Sequence, residues 1–243
     1  MKRVLISLSL VASLAMAGAT AVEWGFDDKK GPANWGDLAP EFHICKTGAN
    51  QSPVNLTDFI EADLAPLKIN YTTKSESVVN KGTTVQVNFA KGSSFSTDGE
   101  TFNLIQYHFH TPSENHINGK SYPMEVHFVH ASDKGELAVI AVMFEEGKAN
   151  SQLQVIVDNM PMKKGDENSL EKVAFNPLDL LPADKDYYKF NGSLTTPPCS
   201  EGVRWQVMKA PVEMSKEQLA AFSKVMGQNN RPVLPLNARK VMQ

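Results

Sequence analysis

A mainly β domain with a few peripheral helices is the fold this sequence predicts, and three observations predict it. Short segments in which apolar and polar residues alternate recur from residue 67 onward. One segment, 137–144, is apolar on both parities, as a strand covered on both faces would be. Only two stretches carry the helical period. A chain of 243 residues with 42% apolar and 21% charged residues has no reason to be disordered. Its net charge of −3 gives no footprint for nucleic acid or an anionic membrane surface.

The first 21 residues read as an export signal. Lys2 and Arg3 form a short basic start, Val4 to Met16 is an apolar run, and Ala19-Thr20-Ala21 supplies a small-x-small cleavage pattern, with Ala15-Met16-Ala17 as a second candidate cut. A membrane anchor would need about 20 apolar residues to cross ~30 Å of hydrocarbon, and this run is shorter. Cleavage takes Lys2 and Arg3 away, so the net charge passes from −3 to −5. The expectation is a periplasmic or secreted protein with no membrane anchor. Without repeats, low-complexity tracts or Gly/Ser linkers, residues 22–243 read as a single domain.

In chain order, Leu67–Tyr71 and Val85–Phe89 alternate, Phe102–His110 and Met124–Ala131 are longer strands, and Leu137–Phe144 and Val203–Met208 complete the set. Ser151–Met160 is helical, with Leu153, Ile156, Val157 and Met160 on one face. Ser215-Lys216-Glu217-Gln218 is a capping box that starts a second helix, Leu219, Phe222, Val225 and Met226 are its apolar face, and Gly227 ends it. Both cysteines, Cys45 and Cys199, lie beyond the signal. An oxidising compartment favours pairing them, two buried free thiols being the alternative.

The chemistry lies in the histidines. In Gln106-Tyr107-His108-Phe109-His110, alternation puts Gln106, His108 and His110 on one face, and in Glu125-Val126-His127-Phe128-Val129 it groups Glu125, His127 and Val129. If these strands pair, three imidazoles converge. Three His ligands leave zinc one open position, the catalytic arrangement. Gln106 and Glu125 sit two positions before a ligand on the same face, where a carboxamide or carboxylate can hold the ring nitrogen that the metal does not use. A buried polar ladder without metal would be costly. The cupin motif His-x-His-x-x-x-Glu also fits His108, His110 and Glu114. It expects Gly where Phe102 stands and a Pro-x-Gly-x-x-His block that does not precede His127. His130 has the opposite parity to His127 and reads as structural; His116 reads as an exposed turn residue.

These blocks, together with Trp24-Gly25, Gly31-Pro32-Ala33-Asn34-Trp35, Asn50-Gln51-Ser52-Pro53-Val54-Asn55, Pro112-Ser113-Glu114, Gly192-Ser193-Leu194-Thr195-Thr196-Pro197-Pro198-Cys199, Glu201-Gly202-Val203-Arg204-Trp205 and Asn229-Asn230-Arg231-Pro232, span nearly all of the chain beyond the signal. In them the sequence closely resembles the secreted bacterial α-class carbonic anhydrases. The resemblance implies a central, largely antiparallel ten-stranded twisted sheet with zinc at the base of a cleft, and it supports the Cys45–Cys199 bridge. It implies one Zn2+ per chain on His108, His110 and His127, with Gln106, Glu125 and the Asn229 carbonyl as their partners. Thr195 and Glu114 resemble the pair that orients zinc hydroxide. Val129, Val139, Leu194, Val203 and Trp205 resemble the apolar wall for CO2, with Thr196 beside product. The implied activity is reversible hydration of carbon dioxide to bicarbonate and a proton, and bacterial members of the family are often dimers. Non-catalytic relatives usually lose a zinc-binding His, and here all three are present. One departure stands out: the family's Asn-Asn-Gly-His shuttle block reads Asn80-Lys81-Gly82-Thr83, so Thr83 holds the proton-shuttle position and turnover is expected to suffer. Phe26 likewise replaces a family Tyr.

Overall fold

The computed structural model describes residues 22–173 and 176–243. The expected signal, residues 1–21, lies outside them. Among the described residues no helix is long and apolar enough to cross a membrane.

The strands are β1 (Asn55–Leu56), β2 (Lys68–Asn70), β3 (Ser75–Asn80), β4 (Val85–Phe89), β5 (Ser94–Thr97), β6 (Glu100–His110) and β7 (His116–Ile117). They continue as β8 (Met124–Ala131), β9 (Leu137–Glu146), β10 (Glu167–Ser169), β11 (Tyr187–Ser193), β12 (Glu201–Met208) and β13 (Val212–Met214). Helices are few: α1 (Trp35–Leu38), α2 (Ile44–Thr47), α3 (Ser151–Asn159) and α4 (Lys216–Met226). The spine of the sheet runs β10-β3-β4-β6-β8-β9-β12-β11, with β2 and β5 continuing one edge of β6 and β13 continuing one edge of β9. Among the described residues this makes eleven strands, against the ten that the resemblance implies, because three-residue pieces such as β10 and β13 pair onto its margins. Most pairings are antiparallel; β12 and β13 run parallel to β9.

The two faces of β9 are both buried, as its apolar parities predict. Ala138, Ile140, Val142 and Phe144 join the larger core, and Val139, Ala141 and Met143 the smaller. Helices α3 and α4 cover the larger core through Leu153, Ile156, Phe222 and Met226, with the Phe222 and Phe109 rings 4.6 Å apart. The capping box forms: Gln218 N–H donates to Ser215 Oγ, and Ser215 N–H to Gln218 Oε1. Gly227 ends α4 at φ 64°, a left-handed conformation that glycine adopts without a Cβ penalty.

Strand β6 holds a feature that simple alternation does not predict. Phe102 and Leu104 face the larger core, and so do Tyr107 and Phe109, which have the opposite parity. The register against β8 shifts between Leu104 and Gln106, leaving Ile105 as the extra, exposed residue of a bulge. The bulge re-phases the strand, so that Gln106, His108 and His110 point away from the core that Phe102 and Leu104 fill.

Candidate metal centre and cleft

Strands β6 and β8 pair with His108 directly opposite His127, and His110 opposite Glu125. This register brings the three rings together, with centroids 4.6 to 5.5 Å apart. One ligand atom from each of His108, His110 and His127 lies within 4.8 Å of the other two, a group suited to a metal ion. Each ring has one nitrogen facing a polar group, through an aligned hydrogen bond in His108 and His110 and at short distance only in His127. His108 Nδ1 lies 2.9 Å from Gln106 Oε1, and His110 Nδ1 lies 3.0 Å from the Asn229 carbonyl. His127 Nε2 lies 2.9 Å from Glu125 Oε1 in a bent approach. The nitrogens left over are Nε2 of His108 and His110 and Nδ1 of His127. His110 Nε2 is buried with no hydrogen-bond partner, a costly state for a polar atom unless a metal takes its lone pair. Burial holds all three imidazoles below their ordinary pKa, and therefore neutral, as ligation requires; for His108 the neighbouring His110 and His127 add to this.

Glu114 is fully buried beside this group. Its Oε1 accepts the Arg231 backbone N–H at 2.8 Å, and its Oε2 lies 3.4 Å from His110 Nε2 and 3.8 Å from His127 Nδ1. Burial drives its carboxyl well above the usual carboxylate range, against the opposing pull of the Arg231 N–H and the Thr195 hydroxyl. Thr195 faces that carboxyl, yet Glu114 Oε2 forms no well-aligned hydrogen bond.

The apolar residues singled out from the sequence form one body. Val129, Val139, Val203 and Trp205 belong to the smaller core, with Leu194 packed against it, and the Trp205 ring lies 4.8 Å edge-on from that of His127. A cleft of about 150 Å³ leads outward, lined by His108, His110, Gln106, Thr196, Thr83 and Phe26 among others. His116 is not among the residues that line it; half-buried, it pairs with Asn55 between β7 and β1. That placement corrects the expectation of an exposed turn residue: the Val54 carbonyl takes its backbone N–H. His130 is structural, on the opposite face, with Nε2 2.8 Å from Tyr71 Oη. Cys45 and Cys199 are disulfide-bonded.

Three residues escaped sequence reasoning. Asn115 donates from Nδ2 to Glu125 Oε1 and accepts the Val54 N–H. Gln86 stands opposite His108 and lines the cleft, which the polar parity of Val85–Phe89 would have signalled. Arg231 is buried and ties the Gln51 side chain to the Ser52 and Cys45 carbonyls, while its own N–H holds Glu114. Burial pushes its guanidinium down to about 10, still charged at neutral pH.

With this geometry in hand, comparison with known proteins decides the family. The profile of the eukaryotic-type carbonic anhydrases matches residues 30–243. The chain belongs to the α-carbonic anhydrase family. A carbonic anhydrase from Pectobacterium carotovorum is 44% identical over 239 residues, covering 98% of this chain and 97% of that protein. One from Neisseria gonorrhoeae is 44% identical over 242 residues, covering 97% and 94%. A solved complex of the Thermovibrio ammonificans α-carbonic anhydrase with the inhibitor sulfanilamide superposes with a TM-score of 0.90 at 49% identity, covering 92% of this chain and 100% of that one. This chain is therefore a carbonic anhydrase of the zinc-dependent kind, and it catalyses the hydration of carbon dioxide.

Proposed function

We propose that His108 and His110 through Nε2, and His127 through Nδ1, hold the catalytic zinc. The observation that carries this assignment is the set of opposite ring nitrogens, each facing a polar partner: Gln106, the Asn229 carbonyl and Glu125. When bound, zinc supplies a water acidified to a pKa of about 7, the value already established for carbonic anhydrases as a class. Three neutral ligands leave the ion's full charge to that task. A dication so close also favours the ionised form of Glu114, opposing the effect of burial.

An ionised Glu114 accepts only, so the single Thr195 proton turns toward it. The Thr195 oxygen is then left to accept from the attacking group and aim its lone pair at carbon. Val129, Val139, Leu194, Val203 and Trp205 offer an apolar, uncharged substrate a surface that charged bicarbonate does not favour. Thr196, on the cleft side, stands where product or an anionic inhibitor would touch it. Thr83 carries no group that titrates near neutrality, so proton transfer out of the cleft is the weakened step.

Export through residues 1–21, leaving a single domain of residues 22–243, is supported by the disulfide, a bond that oxidising compartments sustain. N-terminal sequencing of the protein recovered from periplasm or medium tests it, and sedimentation equilibrium tests the homodimer that the family resemblance suggests. For the site, stopped-flow CO2 hydration and zinc content are measured on the wild type and His127→Ala. Loss of both is expected in the variant; full activity would overturn the ligand set.

A further inference from the structure

Beyond Thr83 the cleft opens into a vestibule of about 620 Å³. Cleft and vestibule share Trp24, Phe26, Lys81 and Thr83, so they are continuous. Lys30, Lys81 and Lys164 reach the vestibule, and Glu23 and Asp27 are its acidic lining. The acids are already engaged. Glu23 pairs with Lys30 at 2.6 Å, and Asp27 Oδ1 accepts the backbone N–H groups of Lys29 and Lys30 at 2.9 and 2.7 Å. Lys81 and Lys164 have no ion-pair partner among the described residues.

The two lysines share one platform. Lys81 N–H donates to the Thr84 carbonyl across the turn between β3 and β4, in which Gly82 has φ 77°. Gly165 N–H donates to the Asn80 carbonyl at 2.7 Å, and Asn80 N–H to the Asp166 carbonyl at 3.1 Å. The Lys164 side chain lies across Gly82, where an added Cβ would come within 2.4 Å of its Cδ. Two cationic side chains without a close ion-pair partner, Lys164 feeling Glu23 only at longer range, thus border the exit of a cleft whose shuttle position is Thr83.

We propose that this vestibule recruits a multiply charged oxyanion base, of which hydrogen phosphate dianion is the probe, as acceptor of the proton that each hydration cycle discards. The inference rests on the proposed loss of shuttling at Thr83. A proton arriving through cleft water bonds to a phosphate oxygen as its O–H bond in the water breaks. Phosphate leaves as the monoanion, held less strongly by the same two cations. The attraction acts within a Debye length of about 8 Å and weakens with salt.

The test titrates turnover of the zinc-loaded enzyme with phosphate and, separately, with imidazole, a base of similar strength that accepts as a neutral molecule, at one pH and ionic strength. The half-saturating phosphate concentration is expected to be at least about threefold lower than that of imidazole, with the advantage shrinking as salt rises. In Lys81→Gln/Lys164→Gln the advantage should vanish while the imidazole curve is kept. Lys164→Gln alone, an exposed change, should give a partial loss if the double variant folds poorly. Phosphate should also shift the amide NMR signals of Lys81, Gly82 and Thr83 in the wild type and not in the double variant. Equal half-saturation for the two bases, or a phosphate preference that survives in the variants, overturns recruitment alone. Turnover independent of both bases overturns the lost-shuttle reading and recruitment with it.

Discussion

Glu125 Oε1 lies 2.9 Å from His127 Nε2, while Oε2 of the same carboxylate accepts the backbone N–H groups of Glu114 and Asn115 at 2.7 and 2.9 Å. One buried side chain therefore sets both a candidate ligand and the segment that carries the candidate orienting carboxylate. In Glu125→Gln the amide has the same shape but brings an N–H where only acceptors serve, opposite either His127 or the two backbone donors. Zinc affinity is expected to fall roughly 10–100-fold, measured by competition with a chromophoric chelator. Unchanged affinity would detach Glu125 from the metal.

Thr195 gives a prediction that separates orientation from metal binding. On the proposed assignment, an aromatic sulfonamide would bind zinc through its deprotonated nitrogen and donate the remaining N–H to the Thr195 oxygen. Thr195→Val removes that acceptor and strands a buried donor, at a cost of about 1–3 kcal/mol. Inhibitor affinity is then expected to weaken roughly ten- to hundredfold while zinc content stays at one per chain. Equal sulfonamide affinity in the two proteins would place the contact elsewhere.

The Cys45–Cys199 bridge spans 154 residues of sequence. In the chain-entropy picture a loop of this size stabilises by roughly 5 kcal/mol, an upper figure because native strain subtracts from it. Reduction should lower the melting temperature while zinc chemistry at room temperature stays near normal. Unfolded, unreduced protein purified from the periplasm should show no free thiol; two titratable thiols would contradict the bridge.

His130 predicts a particular acid limb. Burial pushes its imidazole down to about 3 from an ordinary 6.5. Below pH 6.5 the unfolded chain binds a proton that the folded one refuses. Its contribution is therefore intact above about 6.5 and is lost as pH falls toward 3, at about 1.4 kcal/mol per pH unit. His130→Gln, which keeps a polar partner for Tyr71, should flatten the stability profile between pH 6 and 4 by about one proton's slope. Parallel profiles in urea unfolding would contradict this account.

What the sequence made legible was local. The alternation in Val85–Phe89, the double apolar parity of β9 and the Ser215 capping box are encoded within a few residues and appear where expected. Even the three imidazoles needed only the parity of two segments and their pairing. The bulge at Ile105 was not legible, since an extra residue shows only against the partner strand. Nor was Arg231, whose partners Cys45, Gln51 and Ser52 lie about 180 residues away. The parallel pairing of β12 with β9 was equally hidden, because apolar runs buried on both faces do not declare direction.

Thr83 carries the prediction about turnover. Its carbonyl accepts the Asn229 side-chain amide at 2.8 Å, and the Asn229 carbonyl faces His110 Nδ1 at 3.0 Å. Its backbone is thus fixed beside the candidate metal group whatever its side chain, and Thr83→His should introduce an imidazole without disturbing the ligands. Unaided proton release from an acid of pKa about 7 is bounded by recombination. A diffusional ceiling of roughly 10⁹–10¹⁰ M⁻¹s⁻¹ gives about 10²–10³ s⁻¹, somewhat more because protons diffuse unusually fast. That lies far below the ~10⁶ s⁻¹ known for carbonic anhydrase with an efficient relay. Turnover should accordingly rise steeply with added buffer in the wild type. Thr83→His should raise kcat at low buffer and leave kcat/KM, which reports attack on CO2, nearly unchanged. Stopped-flow rates across a buffer series decide the matter: a high kcat independent of buffer in the wild type would mean that another route already carries the proton.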